Sequence, residues 1–175
     1  IGRAVAEMLL AKGYHVIITY AYDSNAAEAL REMRQISPEV EIHEIDQTQR
    51  TATYAFLDYV KSSFKHVDCM ICNAGITRRS SFKDSKDADW DDMMEVAVNS
   101  HYIIIRELYE MIPAGSRIIF TGSLMGLQPH GTVLAYGVTK AAVHALMKNL
   151  VKEFEGTGTT VNAVAPGFVD TPWQK

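Results

Sequence analysis

Apolar residues recur along the chain at two spacings, and these spacings predict helices and strands in turn. Ile1, Val5, Met8 and Leu9 recur at the helical interval, and an apolar strand follows at 14–20. Further helices are predicted at 24–33, 48–64 and 88–111 and around Tyr136, ending near 154; further strands are predicted at 40–45, 67–72, 117–121 and 160–164. Apolar strands that alternate with helices predict an α/β fold, a parallel sheet covered on both faces.

Length and composition fit a single soluble domain spanning 1–175. The chain has 175 residues, of which 47% are hydrophobic and 22% charged, with a net charge of −4. It shows no basic block, so nucleic acid is not an expected partner. It has no apolar run of ~18 residues, so no membrane span is expected. The chain opens on a helical pattern instead of a signal peptide, and we predict a cytoplasmic protein.

The two cysteines, Cys69 and Cys72, have the spacing of a redox pair or of half a zinc site. They lie in a predicted buried strand, where residues three apart face opposite sides. We therefore predict two reduced, buried thiols and no metal site.

Polar and turn-forming residues follow four of the predicted strands. Asp46 follows one strand, Asn73-Ala74-Gly75 the next, Ser123 another and Pro166-Gly167 the last. Each is ordinary turn chemistry when taken singly. Ligands of parallel α/β sheets bind at the carboxyl ends of the strands, so four such segments at one edge predict a binding site.

Tyr136 and Lys140 lie one helical turn apart, which places their Cβ atoms roughly 5–6 Å from each other. A free phenol has a pKa of about 10, too high for acid–base work near neutral pH. A neighbouring ammonium supplies only ~1 kcal/mol in bulk water but about 4 kcal/mol at an effective dielectric of ~20. The pair is therefore useful for chemistry only if it is partly desolvated.

Together these segments resemble the short-chain dehydrogenase/reductase family over essentially the whole chain. The matching segments are Asn73-Ala74-Gly75, Val98-Asn99, Gly122-Ser123, the pair Tyr136 and Lys140, and Pro166-Gly167-Phe168-Val169-Asp170-Thr171. The resemblance implies a doubly wound, Rossmann-like sheet, a nicotinamide cofactor and hydride transfer between a carbonyl and an alcohol. It also implies a small-molecule substrate and a homo-oligomer, either a dimer or a tetramer.

The resemblance assigns catalytic roles to four residues. Tyr136 would give a proton to the carbonyl oxygen in reduction and take it back in oxidation. Lys140 would lower the pKa of Tyr136 and hold the nicotinamide ribose. Ser123 would orient the substrate oxygen. Asn99 would hold a water that links Lys140 to solvent.

The resemblance also implies a set of cofactor-binding residues. They are Gly2, Tyr20, Ala21, Asp46, Asn73, Ala74, Gly75, Tyr136, Lys140, Pro166, Gly167 and Thr171. An acid directly after the strand at 14–20 would favour NAD, but Tyr20-Ala21-Tyr22 stands there. NADP(H) is therefore favoured, and NAD(H) stays open.

Within the family, Asn73–Arg78 and Gly167–Val169 look most like the 3-oxoacyl-[acyl-carrier-protein] reductases. Those enzymes dock their acidic carrier with basic residues, but Met111–Gly115 and Glu155–Gly158 have none. A 3-oxoacyl thioester is the expected substrate. The alternatives are a sugar, polyol or other small alcohol, or a non-catalytic nucleotide-binding role. The residues expected to face the substrate are Leu124, Met125, His130 and Trp173.

Members of the family usually begin with a strand and a glycine-rich phosphate loop, and only Ile1-Gly2 of that loop stands in this sequence. The first strand would lie between those ending at Tyr20 and Cys72. The final strand is also lacking. We therefore expect a sheet without the first and last strands of the family, in a chain truncated at both ends.

Overall fold

The computed structural model describes residues 1–128 and 133–169. Its five strands all pair in parallel, which confirms the predicted α/β class. The strands are β1 (Val16–Tyr20), β2 (Val40–Glu44), β3 (Cys69–Cys72), β4 (Arg117–Thr121) and β5 (Thr160–Val164). They form a two-stranded sheet, β1-β2, and a three-stranded sheet, β3-β4-β5, instead of one continuous sheet. Among the described residues no strand pairs with both β1 and β3. This agrees with the family strand that the resemblance leaves lacking in this sequence.

Six α-helices occur among residues 1–128 and 133–169, before and between these strands. They are α1 (Gly2–Ala11), α2 (Ala26–Ile36), α3 (Arg50–Ser63), α4 (Asp87–Met94), α5 (Ser100–Glu107) and α6 (Leu134–Glu153). The predicted end of α2 at 33 is three residues short. The helix continues to Ile36 because the residue that precedes Pro38 is the first one forced out of helical backbone, and Ser37 is extended with φ −156°.

The chain divides into two compact units, the first of which is Ile1–Phe56. In this unit β1 pairs with β2, with Val16 opposite Val40. Helices α1 and α2 pack an apolar cluster against the strands, and salt bridges join Arg3 to Glu7 and Glu32. The buried members of the cluster are Ala6, Leu10, Val16, Met33 and Val40.

The second unit, Leu57–Lys175, contains the sheet β3-β4-β5. The middle strand β4 is buried on one face, where Ile118 and Phe120 have no exposed surface, while Ile119 is half-buried and Arg117 is exposed. Ile118 lies opposite Met70 on one side and Val161 on the other. The polar residues that follow β4 are therefore held by a strand paired on both sides.

The long helix predicted from 88 to 111 contains a change of helical type. Between α4 and α5 the five residues Glu95–Asn99 form a π-helix, and a 3₁₀ turn, Tyr109–Met111, follows α5. Single π-helical turns occur frequently at functional sites. Here the turn contains Asn99, one of the predicted catalytic residues.

Both cysteines lie on β3 as free thiols; Cys72 is buried as predicted, whereas Cys69 is only half-buried. Burial raises the pKa of Cys69, and it raises the pKa of Cys72 to about 12. Redox and metal-binding cysteines act as thiolates, so burial opposes both roles. The described residues contain no group of three or more side chains able to hold a metal ion. None of the helices described is long and apolar enough to cross a membrane.

Candidate active site

Three side chains on one face of α6 meet the end of β4. Tyr136, Lys140 and His144 follow one another at intervals of one turn. The Lys140 amino group donates to the carbonyl oxygen of Thr121 at 2.7 Å. A hydrogen bond joins the Ser123 hydroxyl to the Tyr136 phenol, and the Ser123 backbone N–H lies 3.4 Å from His144 Nε2. The structure therefore brings the predicted Ser123, Tyr136 and Lys140 together.

Lys140 is held in a desolvated position. Only 3% of its surface is exposed, and burial lowers the pKa of its amino group to about 8. The amino nitrogen lies 5.7 Å from the centroid of the Tyr136 ring. Lys140 is therefore desolvated, as the tyrosine–lysine pair requires.

The phenol of Tyr136 does not have the lowered pKa that the resemblance implied. Its pKa is raised, because burial of the phenol outweighs the hydrogen bond from Ser123, which lowers it. Burial favours the neutral form of both groups: a protonated phenol and an uncharged amine. At neutral pH the phenol of Tyr136 is therefore protonated.

The segment after β3, Asn73-Ala74-Gly75, also lies next to Lys140. The Thr121 hydroxyl donates to Asn73 Oδ1 at 3.0 Å, while the carbonyl of the same threonine accepts from Lys140. A Cβ atom at Gly75 would lie 3.2 Å from Lys140 Nζ, so the glycine leaves room for the amino group. Asn73-Ala74-Gly75 thus borders the lysine.

The loop after β4 fixes Ser123. Its hydroxyl accepts from the Met125 backbone N–H at 3.1 Å and caps a short 3₁₀ turn, Leu124–Gly126. The Leu124 N–H donates to the carbonyl of Pro166 at 3.0 Å, so the segment after β5 joins this loop. Gly167 is exposed, while Thr171, His130 and Trp173 lie outside the described residues.

Asn99 lies half-buried in the π-helical turn. Its amide donates to the Glu95 carboxylate at 2.6 Å. Two residues further on, His101 is buried against Phe120, and burial and Lys140 lower its pKa to about 4. The described contacts of the Asn99 side chain do not include Lys140, so the water-mediated link between the two stays a prediction.

The predicted cofactor residues of the first unit follow β1 and β2 or begin α1. Gly2 is the first residue of α1, and Tyr20 ends β1 directly before the exposed Ala21. Asp46 accepts from the Thr48 hydroxyl at 2.7 Å and from the Tyr22 phenol at 2.8 Å. The Thr48 hydrogen bond is the main reason why the pKa of Asp46 is lowered.

Sequence reasoning missed four residues that interact with the predicted site. Thr121, Glu95 and His144 each form a hydrogen bond with a predicted catalytic residue, and the charge of Lys140 lowers the pKa of His101. For His144 a signal was present, since it lies one turn beyond Lys140 on the same helical face as Tyr136. Glu95, four residues before Asn99, had a similar signal.

Replacing Lys140 by methionine should change how stability depends on pH. Burial lowers the pKa of the folded lysine, so the unfolded chain binds its proton more tightly and the buried charge destabilises the native state below pH 8. The free-energy cost of the buried charge is relieved as the pH rises from about 8 toward 10.5, the pKa of the unfolded lysine. Between pH 7 and pH 9.5 the stability of the native protein should rise by about 2 kcal/mol relative to Lys140→Met, given a shift from 10.5 to about 8.

Urea unfolding of both proteins at the two pH values measures this difference, and groups common to both chains cancel. Lys148→Met removes an exposed lysine of the same helix and serves as the control, with no comparable pH dependence expected. Parallel pH dependences of the native and Lys140→Met proteins would contradict a buried charge at this position.

Comparison with known proteins supplies the family. The family described as short chain dehydrogenase matches residues 1–175. The chain is 33% identical over 174 residues to a 2-dehydro-3-deoxy-D-gluconate 5-dehydrogenase of Pseudoalteromonas atlantica, covering 98% of this chain and 68% of that protein. It is also 33% identical over 173 residues to the 3-oxoacyl-[acyl-carrier-protein] reductase of Escherichia coli K12, covering 98% and 70%.

A solved structure of the same family has a fold similar to that of this chain. A short chain dehydrogenase from Burkholderia cenocepacia, crystallised in complex with NADP, superposes with a TM-score of 0.91 at 28% identity, covering 98% of this chain and 71% of that one. This superposition confirms the predicted Rossmann-like fold. The matching family, the two relatives and the parallel α/β architecture lead to one conclusion: the chain belongs to the short chain dehydrogenase family of oxidoreductases.

Proposed function

We propose that the protein is an NADP(H)-dependent reductase that transfers a hydride to the carbonyl of a 3-oxoacyl thioester. One observation carries the proposal: Ser123, Tyr136 and Lys140 meet at the end of β4, with the phenol half-buried and protonated and the lysine buried. Oriented groups of this kind suit proton transfer to a carbonyl oxygen.

Tyr136 is the proton donor of this reaction. Its raised pKa keeps the phenol protonated at neutral pH, which is the form that reduction requires. Ser123 shares a hydrogen bond with the phenol, so a substrate oxygen that reaches both hydroxyls is oriented and its developing charge is stabilised. In the reverse direction Tyr136 takes the proton back from the alcohol.

The residues beside Lys140 fit a nicotinamide cofactor. Gly75 leaves open the space next to the Lys140 amino group, where a side chain would crowd it. The lysine has donors beyond the one used by Thr121 and would bind the ribose hydroxyls. NADP(H), when bound, supplies or accepts the hydride. Asn99 would support Lys140 through a bound water. Further contacts would come from Asn73, Ala74, Gly75, Tyr136, Pro166, Gly167 and Thr171.

The adenosine part of the cofactor would be held by Gly2, Tyr20, Ala21 and Asp46. The Asp46 carboxylate is fixed by Thr48 and Tyr22, and its lowered pKa keeps it ionised as a hydrogen-bond acceptor. Because no acid directly follows β1 to bind a ribose 2′-hydroxyl, we favour NADP(H) over NAD(H). The relative crystallised with NADP supports this choice.

A free thioester is favoured over a carrier-bound one. The similarity to the 3-oxoacyl-[acyl-carrier-protein] reductase of Escherichia coli supports the 3-oxoacyl group. The segments Met111–Gly115 and Glu155–Gly158 lack the basic residues that an acidic carrier would need. A second candidate substrate is a sugar acid, because the relative from Pseudoalteromonas atlantica is equally similar.

The test is a fluorescence titration with NADPH and NADH, followed by an assay of cofactor oxidation. Acetoacetyl-coenzyme A, its acyl-carrier-protein counterpart and a keto sugar acid would be compared. We expect tighter binding of NADPH than of NADH, and turnover with the free thioester. Binding of neither cofactor would overturn the cofactor assignment. Turnover of the sugar acid alone would replace the substrate, leaving the reaction type intact.

A further inference from the structure

The backbone N–H groups of Gly122, Ser123 and Leu124 do not all donate to the same kind of acceptor. The Gly122 N–H donates to the Val164 carbonyl at 2.8 Å, and the Leu124 N–H donates to the Pro166 carbonyl at 3.0 Å. The N–H between them, that of Ser123, faces a side chain instead: His144 Nε2, at 3.4 Å. The acceptor for the Ser123 backbone N–H is therefore a histidine of α6.

The ring of His144 is seated against Gly122. A Cβ atom at position 122 would lie 2.0 Å from His144 Nε2 and 2.6 Å from Cδ2, far inside contact distance. Any side chain at position 122 would displace the ring. The glycine and the histidine therefore form a matched pair that places Nε2 beneath the Ser123 peptide.

The hydrogen bond defines the protonation state of the ring. Nε2 accepts, so it carries no proton and Nδ1 carries the single ring proton. His144 is buried, and burial, Lys140 and Lys148 lower its pKa, which keeps the ring neutral. Nδ1 has no hydrogen-bond partner among the described residues. A buried donor without a partner destabilises a fold, so packing alone does not explain a histidine here.

We propose that His144 is a positioning residue, which accepts the Ser123 backbone N–H and so holds the Ser123 hydroxyl against the Tyr136 phenol. The expected effect of His144 on kcat rests on the proposed function. The hydrogen bond between His144 and Ser123 can be tested without any turnover. Three residues of α6 then contact the segment 121–123. Tyr136 contacts the Ser123 hydroxyl, Lys140 the Thr121 carbonyl and His144 the Ser123 N–H.

Nuclear magnetic resonance tests the geometry in the intact protein. Nitrogen-15 spectra of histidine-labelled protein should show a neutral His144 ring protonated at Nδ1. The Ser123 amide proton should shift upfield in His144→Leu, which lacks an acceptor, and return toward its native position in His144→Gln, whose side-chain oxygen can accept. A ring protonated at Nε2, or a Ser123 amide indifferent to both variants, would overturn the proposal.

Kinetics tests the consequence for the reaction. His144→Leu should lower kcat by about 10-fold, the effect of one ordinary hydrogen bond, with the KM for NADPH unchanged. His144→Gln should recover most of the loss. Val143→Ala, at the neighbouring buried position, is the control for lost packing and should lower thermal stability while keeping kcat.

The outcomes separate the two proposals. Wild-type protein that reduces no carbonyl would refute the proposed function, whereas the resonance experiment would still decide the role of His144. If His144→Leu keeps the native kcat and loses stability as Val143→Ala does, the histidine is a packing residue and the inference is wrong.

Discussion

Replacing Tyr136 by phenylalanine should slow carbonyl reduction strongly while leaving the fold and NADPH binding intact. The change removes only the phenolic oxygen, the atom that shares a hydrogen bond with Ser123 and that we propose as the proton donor. Positioned acid–base groups typically contribute about 10²–10⁴-fold to a rate, and we expect kcat to fall by about that factor. Steady-state oxidation of NADPH measures the loss, and a fluorescence titration measures cofactor binding.

Tyr102→Phe is the matched control for this change. Tyr102 lies on α5 with 49% of its surface exposed and its ring against Arg106, so it should keep wild-type turnover. Undiminished reduction by Tyr136→Phe would show that the phenol is not the proton donor. Loss of NADPH binding along with turnover would instead indicate that the phenolic hydroxyl of Tyr136 holds the cofactor.

Replacing Gly126 by alanine should destabilise the native protein by about 1–3 kcal/mol, the usual cost of overpacking. An added Cβ would lie 2.7 Å from the Lys140 carbonyl carbon, 2.8 Å from the Ala141 nitrogen and 2.9 Å from the Lys140 oxygen. These are backbone atoms of α6, so no side-chain rotation relieves the contact. The helix or the loop must move, which would also displace Lys140. Thermal unfolding measures the loss, at about 2–4 °C for each kcal/mol in a chain of this size.

Gly167→Ala is the control for this prediction. A Cβ at Gly167 meets no atom within 4 Å, and its backbone lies outside the left-handed region. We expect its melting temperature to stay close to that of the native chain. Equal melting temperatures for Gly126→Ala and Gly167→Ala would mean that the loop and α6 are not in the close contact described.

The alternation of strands and helices could be predicted because hydrophobic periodicity reports local geometry directly. β4, for example, has the bounds that the apolar run at 117–121 predicted. The predicted helix at 88–111 was correct in extent, but its π-helical turn was not predictable, because one extra residue in a helix barely alters an apolar pattern. The separation of the strands into two sheets agrees with the strand that the family resemblance leaves lacking, but hydrophobic periodicity alone could not predict it, because a local pattern does not contain long-range pairing.

The candidate site could be predicted in its residues but not in its electrostatics. The spacing of Tyr136 and Lys140 and the position of Ser123 after β4 were readable from the chain. The direction of the Tyr136 pKa was not, because it depends on the balance between burial and hydrogen bonding in three dimensions. His144 was missed although its helical spacing from Lys140 was a signal, because a contact with the Ser123 backbone has no sequence motif.

The π-helical turn between α4 and α5 implies a constraint on chain length. Deleting one residue from Glu95–Asn99 would restore α-helical hydrogen bonding and rotate one flanking helix by about 100° relative to the other. Met93 on α4 and Ile103 on α5 are both buried, and such a rotation would bring one of these two faces out to solvent. Evolution can therefore exchange side chains in this segment more readily than it can shorten it. Gaps between related sequences are expected in the surrounding loops and not here.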